Sequence, residues 1–169
     1  TLRHGLFRSD ASLPFTAHPK LDPDSGELHA ICYDALQRNR VTSLVLGKTG
    51  ELVRQVEVPT PGTPMIHDCA LTQSSVIIFD LPITLSVKMA LTGSSFPVAW
   101  NDQHPARVGL LPRNGSARDI RWFAVDPCFV FHSANAYDAA DGSTVVDVVV
   151  YERMFDCSRQ GPETNRPSR

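Results

Sequence analysis

The chain has 169 residues, of which 42% are hydrophobic and 20% charged, and its formal net charge is −2. Disorder requires low hydrophobicity and high net charge, so this composition indicates one folded domain with its own core. Nucleic-acid binding requires clustered Lys and Arg, and a membrane span requires roughly 20 consecutive apolar residues. The sequence shows neither pattern, so we expect no nucleic-acid partner and no transmembrane segment.

The cysteines lie far apart along the chain, with no closely spaced pair. Zinc sites and redox motifs use close pairs, and small secreted domains carry a denser disulfide framework. We therefore expect reduced, mostly buried thiols in a cytoplasmic protein. The cysteines are Cys32, Cys69, Cys128 and Cys157.

Short β-rich runs separated by turn residues recur along the chain. The predicted strands are residues 27–33, 41–46, 51–58, 75–81 and 144–151. Between the second and third runs, Gly47 and Gly50 suit a hairpin loop because glycine adopts positive φ without strain. Residues 84–91 fit a short helix or another strand, since periodicity does not separate the two at this length. The pattern predicts an all-β architecture.

A weak internal repeat places one histidine at the head of each of three hairpins. The copies start at His18, His67 and His132, and each continues as a strand, a turn and a returning strand. Their spacing is about that of propeller blades with insertions. The inner strands of propeller blades surround a central axis, so one histidine per blade at equal height would direct the imidazoles to one point. The repeat therefore predicts a metal site on the axis of a β-propeller.

A single histidine at the start of a strand is more often a hydrogen-bonded core or turn residue than a metal ligand. The position that His18, His67 and His132 share at the head of their hairpins favours metal ligation for these three. His4, His29 and His104 lack that position, and we expect them to be structural or exposed. Asp68 follows His67 directly, and adjacent strand residues face opposite sides, so we expect its carboxylate to face away from the metal. Imidazole suits zinc, copper, iron and nickel, and the ligand set alone leaves these open.

Several longer motifs surround these histidines and occur in a fixed order. They are FTAHPK at 15–20, DP at 22–23, GEL at 26–28, MIHDCALT at 65–72, RVGLLPR at 107–113, IRWF at 120–123 and FHSANAYD at 131–138. Together they resemble the carotenoid cleavage oxygenase family. The resemblance implies a partial arc of a seven-bladed β-propeller over residues 1–157, with a polar, frayed tail at 158–169.

The resemblance also implies non-haem Fe²⁺, one per complete active site, held by four histidines without a carboxylate. His18, His67 and His132 would be three of these ligands, with the fourth histidine absent from this chain. The implied reaction is O2-dependent cleavage of a conjugated carbon–carbon double bond, giving two carbonyl products. An apolar carotenoid, apocarotenoid or stilbene-like molecule would be the substrate. No catalytic residue beyond the metal ligands, and no residue for an organic cofactor, is implied.

One feature of the family is not matched: its glutamates that hydrogen-bond the ligand histidines have no counterpart at the expected positions. The alternative interpretation is an inactive, truncated propeller that acts at most as a binding or interaction module. Another chain carrying the missing propeller portion is a candidate partner. We expect a cytoplasmic location, with peripheral contact to a membrane left open.

Overall fold

The computed structural model describes residues 15–34 and 38–156. Antiparallel strands account for nearly all of the regular structure in these ranges, which confirms the all-β prediction. The strands are β1 (Lys20–Leu21), β2 (Leu28–Cys32), β3 (Arg40–Leu46), β4 (Leu52–Pro59), β5 (Cys69–Leu71), β6 (Ser75–Asp80), β7 (Ile83–Leu85), β8 (Val98–Trp100), β9 (Arg107–Pro112), β10 (Arg121–Ala124), β11 (Phe129–Asp138) and β12 (Thr144–Tyr151). A short helix, α1 (Val87–Leu91), lies between β7 and β8.

The first sheet contains β1 to β4 in sequence order. The predicted hairpin forms between β3 and β4, and Gly50 at its turn has a φ of +84°. A second positive φ, +72°, occurs at Gly26 in the turn between β1 and β2. Glycine is favoured at both positions because a Cβ atom would strain this conformation.

The second sheet has the strand order β10-β9-β6-β5. Every residue of β6 is buried, as the apolar run in the sequence predicts, and the strand ends two residues before Pro82. Val76 and Ile78 pack into one hydrophobic core with residues of the first sheet. Ile77 and Phe79 pack into another core, which they share with β8 and β11. The second sheet is therefore packed on both faces, which fixes its position between its neighbours.

Residues 84–91, for which the sequence allowed either a short helix or another strand, contain part of a strand and a helix. Ile83–Leu85 forms β7, which pairs with β8, and Val87–Leu91 forms α1. Ser86 separates them and caps the helix, since its side chain accepts a hydrogen bond from the Met89 backbone N–H. An N-cap serine satisfies a donor that the first turn of a helix leaves free.

The third sheet is the two-stranded hairpin of β11 and β12, and β12 has the predicted bounds. The register of β11 shifts between Val130 and Ser133, and again between Ser133 and Asn135. The prediction that a histidine heads each hairpin is wrong for the third copy, because His132 lies inside β11. Bulges at these shifts re-aim the side chains of the strand, which explains how His132 reaches the site from within it.

The described cysteines are free, with Cys32 and Cys69 buried and Cys128 half-buried, as predicted. Cys157, His4 and the predicted tail at 158–169 lie outside the described residues. Within the described ranges, no helix is long enough to cross a lipid bilayer.

Candidate metal centre

Each of the three predicted ligands is supplied by a different sheet. His18 lies just before β1, His67 just before β5, and His132 within β11. β1 and β5 are edge strands of their sheets, and β11 belongs to the third sheet. The three sheets therefore meet where these histidines lie.

The imidazoles converge as the repeat predicts. Ring centroids are 4.7 Å apart for His18 and His67, 4.7 Å for His18 and His132, and 5.2 Å for His67 and His132. One nitrogen of each ring lies within 4.8 Å of the others. The Nε2 atoms of His18 and His67 are 3.1 Å apart. Two nitrogens bonded to one ion at about 2.0–2.1 Å lie at about this separation when their bonds meet near a right angle.

The electrostatics of the cluster favour a neutral imidazole at His67. Burial lowers the pKa of His67, and the neighbouring His18 and His132 lower it further. A neutral imidazole keeps a lone pair on one nitrogen, which a metal ion requires of its ligand. In geometry and donor chemistry, the three rings fit a metal that prefers nitrogen ligands.

Asp68 follows His67, and its carboxylate is directed to Lys20 and Ser133. Burial alone would raise the pKa of Asp68, but the hydrogen bonds from Lys20, Ser133 and Cys69 outweigh it and lower the pKa. Among the described residues, the group able to hold a metal ion consists of the three histidines without Asp68. This agrees with an imidazole site that excludes the neighbouring carboxylate.

Two other histidines lie apart from the cluster, in roles that agree with the structural prediction. His29 is buried on β2, with its Nε2 atom 3.3 Å from Nη2 of Arg113 and 3.5 Å from a carboxylate oxygen of Glu27. His104 is buried with its Nε2 atom 2.6 Å from Oδ1 of Asp80. Both side chains serve polar networks inside the fold.

Two cavities lie near the segments that carry the clustered histidines. A cavity of about 440 Å³ reaches His67 and is lined mainly by apolar or aromatic side chains, including Phe15, Ile31, Tyr33 and Ile66. A second cavity of about 440 Å³ is more polar and contains Lys20, Asp22, Gln73, Arg113, Ser133 and Asn135. The cavity that reaches His67 is thus suited to an apolar molecule, whereas the polar cavity contains Lys20 and Ser133 but none of the three histidines.

The sequence reasoning missed residues that contact the cluster without being ligands. The ring of Phe131 meets that of His67 edge-on, at a centroid distance of 5.0 Å and an interplanar angle of 89°. Lys20 and Ser133 hold Asp68 beside the cluster. Their closeness in sequence to the predicted ligands could have indicated them, because each of these residues lies within two positions of one of those histidines.

The sequence matches a known protein family over nearly its whole length. The family model described as "Retinal pigment epithelial membrane protein" matches residues 2–168. The chain is 36% identical to a carotenoid cleavage oxygenase of Mycobacterium tuberculosis, over 91% of this chain and 39% of that relative.

Two solved structures share the fold. A lignostilbene dioxygenase of Pseudomonas brassicacearum matches with a TM-score of 0.71 and 34% identity, over 84% of this chain and 29% of the other. A cobalt-substituted apocarotenoid oxygenase of Synechocystis matches with a TM-score of 0.74 and 30% identity, over 90% of this chain and 34% of the other.

These matches define the class of protein by its fold: antiparallel sheets that correspond to part of a β-propeller. The chain belongs to the carotenoid cleavage oxygenase family. The predicted partial arc of a propeller is confirmed, since the described sheets correspond to only part of each solved relative. The chain spans 39% of the length of its mycobacterial relative.

Proposed function

We propose that this chain supplies three of the four histidine ligands of a non-haem Fe²⁺ centre. The complete site would belong to a dioxygenase that cleaves a conjugated carbon–carbon double bond of a carotenoid, apocarotenoid or stilbene-like substrate. The products would be two carbonyl compounds. The observation that carries the proposal is the convergence of His18, His67 and His132 from three sheets in a member of this family.

The side chains of the chain have distinct roles in this proposal. His18, His67 and His132 hold the ion through neutral imidazole nitrogens, since a protonated ring has no lone pair to donate. Iron, when bound, supplies the activation of O2 beside the alkene. The apolar wall near His67, which includes Tyr33 and Ile66, keeps water away and accepts a flat, conjugated molecule.

The fourth ligand and the remaining blades would come from protein outside this sequence, joined to it or carried by a partner chain. Closure of a propeller covers the exposed edges of its end blades, so this partner would also stabilise the arc. Exposed apolar side chains such as Tyr137 and Val149 on the third sheet are available for such a contact.

A graft into a complete relative tests whether these residues can perform the chemistry. The matching segment of the mycobacterial carotenoid cleavage oxygenase is replaced by residues 15–156 of this chain. We expect the chimera to bind iron and to produce two carbonyl products from the carotenoid that the parent cleaves, with oxygen taken from labelled O2. The matched control is the same chimera carrying His67→Ala, which should give no product.

The graft also separates the proposal from the alternative of an inactive remnant. A chimera that folds and retains iron, yet forms no product while the parent is active, would refute the dioxygenase role of this segment. Product formation unchanged by His67→Ala would refute the assignment of the ligands.

A further inference from the structure

One buried carboxylate connects all three segments that carry the clustered histidines. Asp68 is 3% exposed, and Nζ of Lys20 lies 2.9 Å from its Oδ1 and 3.0 Å from its Oδ2. The backbone N–H of Ser133 donates to Oδ2 at 2.8 Å and the Ser133 hydroxyl donates to the same atom at 3.0 Å. The backbone N–H of Cys69 donates to Oδ1 at 2.7 Å. The carboxylate therefore has charged and neutral donors on both oxygens.

The partners of Asp68 are adjacent in sequence to the histidines. Asp68 itself follows His67, Ser133 follows His132, and Lys20 lies two residues after His18. β1, β5 and β11 belong to three different sheets, so no strand ladder sets the distances between them. Hydrogen bonds to an ionised carboxylate are shorter and about twice as strong as neutral ones, which makes Asp68 an effective link between the sheets.

The Ser133 hydroxyl strengthens the link on one side. Its oxygen donates to Oδ2 of Asp68 at 3.0 Å and lies 2.9 Å from the backbone carbonyl oxygen of Cys69. Both contacts bind the start of β5 to the bulged part of β11, where the strand register shifts on either side of Ser133. The bulge that places His132 in the cluster is thus held by the residue next to His67.

We propose that Asp68 is a positioning residue that sets the mutual distances and orientations of His18, His67 and His132. The importance of this role for the enzyme rests on the proposed metal centre. A ligand set held in position before the ion binds avoids the cost of ordering it afterwards. Asp68 bonds to the segments that carry the ligands and not to an imidazole, so its loss should lower metal affinity by up to about 10-fold, the lower end of the effect of losing a direct hydrogen-bond partner of a ligand.

The third sheet offers a matched control for a general loss of contact between sheets. Oδ2 of Asp138 accepts a hydrogen bond from the Ser74 backbone N–H at 2.9 Å, which also links β11 to the second sheet. Asp138 is at the far end of β11, away from His132. Asp138→Asn therefore weakens an exposed link between the same two sheets without touching the histidine-bearing positions.

The experiment compares the 169-residue chain with its Asp68→Asn, Ser133→Ala and Asp138→Asn variants. Imidazole nitrogen NMR spectra are recorded without metal at one pH, and Co²⁺ is then titrated while its visible absorption bands are followed. We expect Asp68→Asn to shift the imidazole signals of His18 and His132, to change the Co²⁺ spectrum and to weaken Co²⁺ binding by up to about 10-fold. Asp138→Asn should match the unmodified chain in its imidazole signals, its Co²⁺ spectrum and its Co²⁺ affinity.

Imidazole signals of Asp68→Asn that superimpose on those of the unmodified chain would overturn the proposal, as would equal shifts in Asp138→Asn. If Asp68→Asn fails to fold by circular dichroism, Ser133→Ala decides, because it keeps the carboxylate and removes only the hydroxyl bonds. It must then shift the His132 signal, and an unchanged signal overturns the proposal. Failure of the unmodified chain to bind Co²⁺ counts against the proposed metal centre, while the metal-free spectra still decide the role of Asp68.

Discussion

The Nε2 atoms of His18 and His67 lie 3.1 Å apart although the residues are separated by 49 positions and belong to different sheets. Neither side chain is brought there by a strand ladder. Packing of the first and second sheets through Ile31, Val41 and Ile78 brings the segments that carry the two histidines near each other. The site is therefore a product of how the sheets pack, and changes in that packing affect it from a distance.

The buried Asp80 network gives the first prediction, which concerns stability. Asp80 is fully buried and accepts hydrogen bonds from His104 at 2.6 Å and from Nε of Arg107 at 2.8 Å. We expect Asp80→Ala to reduce the free energy of unfolding by about 3–5 kcal/mol, because it leaves the buried His104 and the half-buried Arg107 without this acceptor. Urea denaturation measures the change.

The control for this prediction is Asp102→Ala. Asp102 bonds to Arg153 at 2.9 Å at the surface, and exposed ion pairs contribute little to stability. The free energy of unfolding should fall far less than in Asp80→Ala. Equal losses in the two variants would show that burial of the Asp80 network does not matter.

The second prediction concerns pH dependence through His29. Burial lowers the pKa of His29 below its usual value of 6.5, and Arg113 lowers it further, against the opposing effects of Glu27 and Asp22. The unfolded chain then binds the proton more readily, so stability from this group is complete above about pH 6.5 and is lost as the pH falls toward the folded-state pKa.

We therefore expect the free energy of unfolding to fall between pH 7.5 and pH 5.5, and to fall less in His29→Gln. Urea denaturation of both proteins at the two pH values measures this. The Nδ1 atom of His29 is buried and has no hydrogen-bond partner among residues 15–34 and 38–156, so no acceptor is in place there for a proton on this nitrogen. The same pH dependence in both proteins would refute the prediction.

The third prediction concerns the close packing of Gly109 in β9. A Cβ atom on this residue would lie 2.7 Å from Cζ3 of Trp122 and 2.8 Å from Cδ1 of Ile120. The indole cannot easily move, because the guanidinium of Arg107 lies 3.9 Å from its ring centroid on the same part of the sheet. We expect Gly109→Ala to cost about 1–3 kcal/mol of stability through overpacking.

A double-mutant cycle checks the cause of this loss. Trp122→Leu provides space, so Gly109→Ala should cost much less in that background than in the unmodified chain. Thermal and urea unfolding of the four proteins supply the comparison. Identical costs in both backgrounds would assign the effect to Ile120 or to the backbone and not to the indole.

Much of the fold follows from local pattern, and parts of the site do not. The buried run of β6 and the β-branched run of β12 were predictable because the strands need those residues on a pleated surface. The convergence of the histidines followed from the repeat. The position of His132 inside a strand did not, because a bulge depends on pairing with β12 and leaves no clear mark in the sequence.

The role of Asp68 shows the same limit. Strand alternation predicts that its carboxylate faces away from the neighbouring ligand. Its partners, Lys20 and Ser133, come from two other sheets and could be identified only once the sheets were packed. His104 was similarly undistinguished as a loop histidine until its contact with Asp80 was seen.

The most direct test of the central claim is metal analysis after anaerobic reconstitution with Fe²⁺, with size-exclusion chromatography alongside. We predict that the 169-residue chain retains iron in a discrete species. His18→Ala, His67→Ala and His132→Ala should each abolish that retention, whereas His29→Ala and His104→Ala should retain iron wherever they remain folded. Equal iron content in the chain and all five variants would contradict the assignment of the three histidines as ligands.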